Sequence, residues 1–136
     1  MPPTKKNRAA LSPRLIGEQP PTDYSIWTVA YCQADMPYDF FGGSGLMSNQ
    51  GTIQIPMVYT VLVGGEVAGK KRVILVDAGF GNQDWMSRYN FFGWEDPRTV
   101  LAKIKLKPED VDTILVTHLH FDHIGNFCAF PNAQLY

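Results

Sequence analysis

The sequence predicts an α/β (α+β) fold in which one sheet dominates, and three observations carry that prediction. Runs rich in β-branched and aromatic residues, at Tyr24–Cys32, Thr52–Val63 and Arg72–Val76, are separated by turn-forming residues, as strands are. A single helix signature stands at Asp96-Pro97, followed by Val100, Leu101 and Ile104 at helical spacing. Finally, the short apolar run Thr113-Ile114-Leu115-Val116 reads as a buried strand that leads into a segment dense in histidine. With 136 residues and 45% hydrophobic content, the chain has material for one modest globular domain.

Taken in order, Met1 to Thr22 hold five of the ten prolines with no sustained periodicity, so residues 1–22 are expected to be a Pro-rich N-terminal arm. Residues 23–136 form the domain. After the first strand, Ala34 to Gln50 reads as a loop carrying Met36, Tyr38, Phe40, Phe41, Met47 and the flexible run Gly42-Gly43-Ser44-Gly45. Exposed aromatics on such a loop need a cover, from the fold, a second subunit or an apolar substrate.

The second and third runs are expected to pair as an antiparallel hairpin across the connection Gly64 to Lys71, with Pro56 near the start of its strand or at an edge. Gly64-Gly65 lacks the strand, turn and helix context of a nucleotide loop. Phe80 to Trp94 is a second aromatic stretch, most of it expected in the core. The helix at Pro97 should cover one face of the sheet and leave Lys103, Lys105 and Lys107 in solvent. Ala133 to Tyr136 reads as the start of another strand.

Charge and cysteine content exclude several classes. Twelve basic and thirteen acidic residues give a net charge of −1, which offers no footprint for nucleic acid or an anionic membrane. No segment approaches the ~20 apolar residues of a membrane span, and Lys5, Lys6 and Arg8 are not followed by the apolar core of a leader. The expected location is cytoplasmic. Cys32 and Cys128 do not form a disulfide framework and are expected to be buried thiols, Cys128 packing with Phe127, Ala129 and Phe130.

All three histidines of the chain fall within Thr117-His118-Leu119-His120-Phe121-Asp122-His123-Ile124-Gly125-Asn126. Imidazole nitrogen and carboxylate oxygen are the ligands that borderline divalent metals take, so the cluster is a metal-site candidate. His118 and His120, two apart on extended backbone, point the same way. Asp122 and His123 then come from the following turn, and two pairs aimed differently suggest two metals.

At these residues the chain resembles a known family. The run Thr117 to Gly125 is similar to the signature of the metallo-β-lactamase-fold hydrolases, and Val76-Asp77-Ala78-Gly79 to the Asp-x-Gly that precedes it. Leu106 to Asp112 and Phe130 to Ala133 resemble the N-acyl-homoserine-lactonase-like branch. The resemblance implies a four-layer αββα sandwich of two similar halves, with residues 23–136 as the N-terminal half. It implies that His118 and His120 hold one divalent ion and that Asp122 and His123 hold the other. Zinc is the expected metal, and iron, manganese and cobalt suit the same ligands. Asp122 would also shuttle a proton, and Asp77 would orient a histidine ring unless it serves only as a turn residue.

The function so implied is hydrolysis by a metal-bridged hydroxide that opens a lactone such as an N-acyl-homoserine lactone. Tyr38 to Phe41 and Trp85 to Trp94 would line a pocket for an acyl or aromatic substrate. The family completes its metals with further histidines and an aspartate later in the chain, whereas no histidine remains here outside the motif. A C-terminal half, a second chain or a homo-oligomer is therefore expected to complete the site, and residues 1–136 alone are expected to be inactive. Two other readings stand beside this one: hydrolysis of another cyclic ester, amide or thioester, and a non-catalytic half-domain acting as a structural or regulatory partner.

Overall fold

The computed structural model describes residues 23–39, 51–84 and 86–136; the Pro-rich arm, residues 40–50 and Trp85 lie outside the described residues. Strand β1 (Tyr24–Pro37) runs antiparallel to β2 (Thr52–Val67), and β2 runs antiparallel to β3 (Lys70–Val76). The short β4 (Phe91–Phe92) pairs with Gln33 and Ala34 on the far side of β1. Beyond β3, β5 (Thr113–Leu115) and β6 (Gln134–Leu135) add in parallel. The result is one six-stranded mixed sheet in the order β4-β1-β2-β3-β5-β6. Two helices are short: α1 (Pro97–Ala102) lies in the crossover from β3 to β5, and α2 (Phe121–Ile124) follows β5.

Two strand boundaries correct the sequence expectation. β1 continues through Ala34 to Pro37, because Asp35, Met36 and Pro37 pair with Gln54, Ile53 and Thr52. The hairpin connection is not the stretch from Gly64 to Lys71 but the two residues Ala68 and Gly69, whose φ of 53° and 76° are both left-handed. Such a turn matches the twist of the flanking strands. Gly64 sits inside β2 for a different reason: a Cβ there would lie 2.1 Å from the Asp23 carbonyl oxygen, so only glycine lets β1 start alongside it. Pro56 falls where β2 is paired only with β1, as its missing N–H requires.

The two faces of the sheet have different fates. A bulge between Ala30 and Cys32 turns both Tyr31 and Cys32 inward. Tyr31 stacks on Tyr59 at a centroid distance of 4.4 Å, and Val61, Leu75 and Ile114 continue this face across β2, β3 and β5. Val100 and Leu101 of α1, together with Val111 and Phe130, close over it. Along the other face the cross-strand row Ile26, Leu62 and Ile74 is apolar too, yet Ile26 is 68% exposed, and Leu115 on the same face is 41% exposed.

Helix α1 begins as its sequence dictates. The Asp96 side chain accepts the Arg98 backbone N–H at 2.8 Å, and Pro97 occupies the first turn, where its missing N–H costs nothing. Lys103, Lys105 and Lys107 are exposed, Lys103 pairing with Glu95 at 2.6 Å and thereby holding the end of the helix to its start. Ile104 falls in the turn just past the helix and packs on the core from there.

Candidate metal centre

The histidine motif is anchored on the sheet at both ends of β5. At its start, the Asp112 carboxylate accepts from Arg72 Nε at 2.8 Å and from the Val73 N–H at 2.8 Å, fixing β5 against β3. Burial works to raise the Asp112 pKa, but the bonds from Arg72, Val73 and Thr113 outweigh it and hold the group below the usual carboxylate range. At its end, the Asp77 N–H donates to the Leu115 carbonyl at 2.9 Å, so β3 and β5 deliver Asp77 and Thr117 side by side. Asp77 itself is in the left-handed region, at φ 60°. Two residues on, Gly79 has φ 66°, and a Cβ there would lie 2.8 Å from Tyr31 Cζ.

Asp77 is the hub of the site. Its Oδ2 accepts from His123 Nδ1 at 2.7 Å and its Oδ1 from the Thr117 N–H at 2.8 Å. The Thr117 hydroxyl lies 3.0 Å and 2.9 Å from the two carboxylate oxygens, and also 3.0 Å from His118 Nδ1 and 3.2 Å from His123 Nδ1. Burial raises the Asp77 pKa, but the donors from Thr117 and His123 more than offset this, and the net shift is downward. The backbone reinforces the link, since the Ala78 N–H donates to the His123 carbonyl at 2.6 Å and the Asn126 N–H to the Gly79 carbonyl at 3.0 Å.

The sequence singles out His118, His120, Asp122 and His123, and the structure brings all four together, in two pairs. His118 Nε2 and His120 Nδ1 are 2.9 Å apart; Asp122 Oδ2 and His123 Nε2 are 3.4 Å apart. Two ligands of one tetrahedral ion are separated by ~3.3 Å, given bonds of ~2.0–2.1 Å. Each separation is thus close to the edge length of a coordination tetrahedron. Among the described residues no group of three or more His, Cys, Asp or Glu side chains is placed to hold a metal ion.

Aromatic rings tie the motif to the core. Phe80 meets Tyr31 edge-on at 5.4 Å and Phe91 at 5.2 Å, and Phe121 of α2 lies 5.5 Å from Phe80. Contacts of this type are worth about 0.5–1.5 kcal/mol each beyond the area they bury. Beside the motif a cavity of about 770 Å³ is walled by Met36, Ile55, Met57, Phe91 and Phe121, with Asp77, His120, Asp122 and His123 on its floor. A second one, of about 690 Å³, shares Met36, Phe91 and Phe121 with it and adds Tyr89 and Arg88.

The second aromatic stretch therefore divides. Phe80, Met86 and Phe91 are buried, and Trp94 is half-buried with its Nε1 donating to the Phe80 carbonyl at 3.0 Å; Tyr89 and Phe92 are exposed. Cys32 is buried as expected, but Cys128 is exposed. It rides on the 3₁₀ turn Phe127–Ala129, where Phe130 takes the inward position instead. Two contributors escape sequence reading. Thr117 looks like the end of a β-branched strand, and Asp112 like one of several acidic residues in a turn; only pairing shows what each one touches.

The profile of the Metallo-beta-lactamase superfamily matches residues 56–134. A probable metallo-hydrolase of Methanocaldococcus jannaschii is 47% identical over 36 residues, 26% of this chain and 18% of that protein. The exodeoxyribonuclease WalJ of Streptococcus pneumoniae is 35% identical over 77 residues, 52% of this chain and 24% of that protein. Among solved structures, a probable metal-dependent hydrolase from Staphylococcus aureus superposes with a TM-score of 0.64 at 21% identity, over 86% of this chain and 47% of that one. The dizinc quorum-quenching lactonase AidC does so with a TM-score of 0.60 at 17% identity, over 85% of this chain and 42% of that one. The chain spans less than half the length of each of these proteins.

Proposed function

The chain belongs to the metallo-beta-lactamase superfamily, and from that premise we propose that residues 23–136 are the first half of a binuclear metal-dependent hydrolase that opens a lactone such as an N-acyl-homoserine lactone. One observation carries the reading: two candidate ligand pairs stand at near-tetrahedral spacing, and His120, Asp122 and His123 of them line a largely apolar cavity. His118 and His120 would hold one divalent ion, and Asp122 and His123 the second. Zinc suits these donors, as do iron, manganese and cobalt. When bound, such ions supply Lewis acidity, activating water and polarising an ester carbonyl.

The chain's own residues do the rest. Asp77 accepts the His123 Nδ1–H and so leaves Nε2 as the coordinating atom. Asp122 directs Oδ2 towards His123 and keeps its other oxygen to hold a proton and hand it to the departing alkoxide. Met36, Ile55, Phe91 and Phe121 offer an acyl chain an apolar wall and keep bulk water from it. A neutral lactone suits this cavity better than a nucleic acid does, because the net charge of −1 gives a polyanion no overall attraction. The lactonase activity named for AidC supports the same choice.

Each pair supplies two donors, and every histidine is already used. The remaining ligands are supplied by a C-terminal half or a second chain. The test is a substrate panel on the zinc-loaded, full-length protein. Lactone ring-opening is expected to exceed thioester and phosphodiester cleavage and to fall by at least ~10²-fold in His118→Ala and in His123→Ala. Preferred cleavage of a phosphodiester or thioester would overturn the lactone assignment. Zinc-supported turnover by residues 1–136 alone would overturn the half-site.

A further inference from the structure

We propose that Thr117 is a positioning residue that sets the ring tautomer of His118, joining it through one hydroxyl to the Asp77 carboxylate. The inference rests on His118 being a metal ligand and on nothing about the substrate. His123 needs no intermediary, since its Nδ1 lies 2.7 Å from Asp77 Oδ2 and donates there directly. His118 does not reach Asp77. What its Nδ1 meets is Thr117 Oγ1, at 3.0 Å, and that oxygen is in turn 2.9 Å and 3.0 Å from the two Asp77 oxygens.

Counting protons leaves one arrangement. An ionised carboxylate only accepts, so the single hydroxyl proton of Thr117 must lie between it and Asp77; otherwise lone pairs would face lone pairs at hydrogen-bond distance. The threonine oxygen then has only lone pairs left for His118, and the His118 Nδ1 must carry hydrogen and donate to it. This leaves Nε2 as the nitrogen of His118 that can offer a lone pair, and it is the atom that lies 2.9 Å from His120 Nδ1. One carboxylate thereby orients a histidine in each ligand pair, one directly and one through Thr117.

The experiment uses the full-length protein in its metal-free form, with histidine tautomers read from ¹⁵N–¹H correlation spectra and zinc affinity from competition with a chromophoric chelator. In the native protein both His118 and His123 are expected in the Nδ1–H form. In Thr117→Val, which keeps the shape and removes the hydroxyl, His118 should shift towards the Nε2–H form while His123 stays as it was. Zinc affinity should fall by about 10–100-fold, the usual effect of losing a partner to a ligating histidine. Thr117→Ser should restore both readouts.

A native His118 found with hydrogen on Nε2 would overturn the proposal. So would a Thr117→Val protein with unchanged tautomer and zinc affinity, or one in which His118 and His123 change together, which would report collapse of the loop. None of these readouts involves turnover. A protein that failed to open lactones would leave them intact, so the two readings can fail separately.

Discussion

The two faces of the sheet are built from the same kinds of residue and end in opposite conditions. On one, Tyr31, Tyr59, Val61 and Leu75 are at most 2% exposed beneath α1 and the segments that flank it. On the other, Ile26 is 68% exposed and Leu115 41%. The difference teaches that strand composition alone does not say what a face packs against. Both faces read as apolar, but only the first carries its cover within the described residues. The histidine motif lies at the strand ends, tied to β3 through Asp77 and to the covered face through Phe80 and Phe121.

The comparison can be broken most directly by truncating one leucine on each face. Leu75→Ala is expected to cost about 2–5 kcal/mol in urea unfolding, as for other fully buried leucines, whereas Leu62→Ala should cost well under half of that in residues 1–136. Equal losses would mean that the second face is covered already. Repeating the pair in a longer protein that supplies a second half should raise the cost at Leu62 towards that at Leu75. An unchanged difference would remove the case for packing there.

Gly79→Ala comes next in size. It places a side chain at φ 66° and a Cβ 2.8 Å from the Tyr31 ring, so the loss should exceed the ~1 kcal/mol of an unfavourable backbone alone. Because Gly79 also accepts from the Asn126 N–H, the same variant should disturb the histidine signals of the motif. Disturbed stability with undisturbed histidine signals would separate the covered face from the site.

Acid sensitivity gives a smaller effect. Asp112 has a pKa below its ordinary value, so its contribution is present above the unfolded-state pKa of ~3.9 and is lost as the pH falls through the lower folded value. Unfolding free energy measured from pH 5 downwards should therefore decline less steeply in Asp112→Asn than in the native chain, from a lower starting stability. A parallel decline would show that the clamp to Arg72 is not felt. Smallest of all should be Ile26→Ser, within about 0.5 kcal/mol in residues 1–136 while that face stays open to water.

Much of this was legible in the residues. Periodicity located β2, β3 and β5, Asp96-Pro97 located the start of α1, and the His-x-His-x-Asp-His spacing picked out four side chains that the fold brings close to one another. What escaped depended on partners distant in sequence. β1 extends to Pro37 because β2 continues opposite it, and Gly64-Gly65 looks like a turn until Asp23 is seen against it. Cys128, surrounded by apolar neighbours, is exposed because a 3₁₀ turn gives the inward place to Phe130. Thr117 opens the histidine signature, but its contacts with Asp77 and His118 exist only because β3 ends beside β5.

Asp77 stands under two separate demands that few residues satisfy together. Its backbone, at φ 60°, is one that glycine, asparagine and aspartate adopt at low cost. Its side chain must accept three hydrogen bonds, from the Thr117 N–H, the Thr117 hydroxyl and His123, while carrying the negative charge that draws them in. Glycine and asparagine pass the first demand and fail the second; glutamate passes the second and fails the first. Only one of the twenty side chains lies in the overlap, so this position should tolerate no substitution even where each ligand beside it can be exchanged for another metal-binding residue.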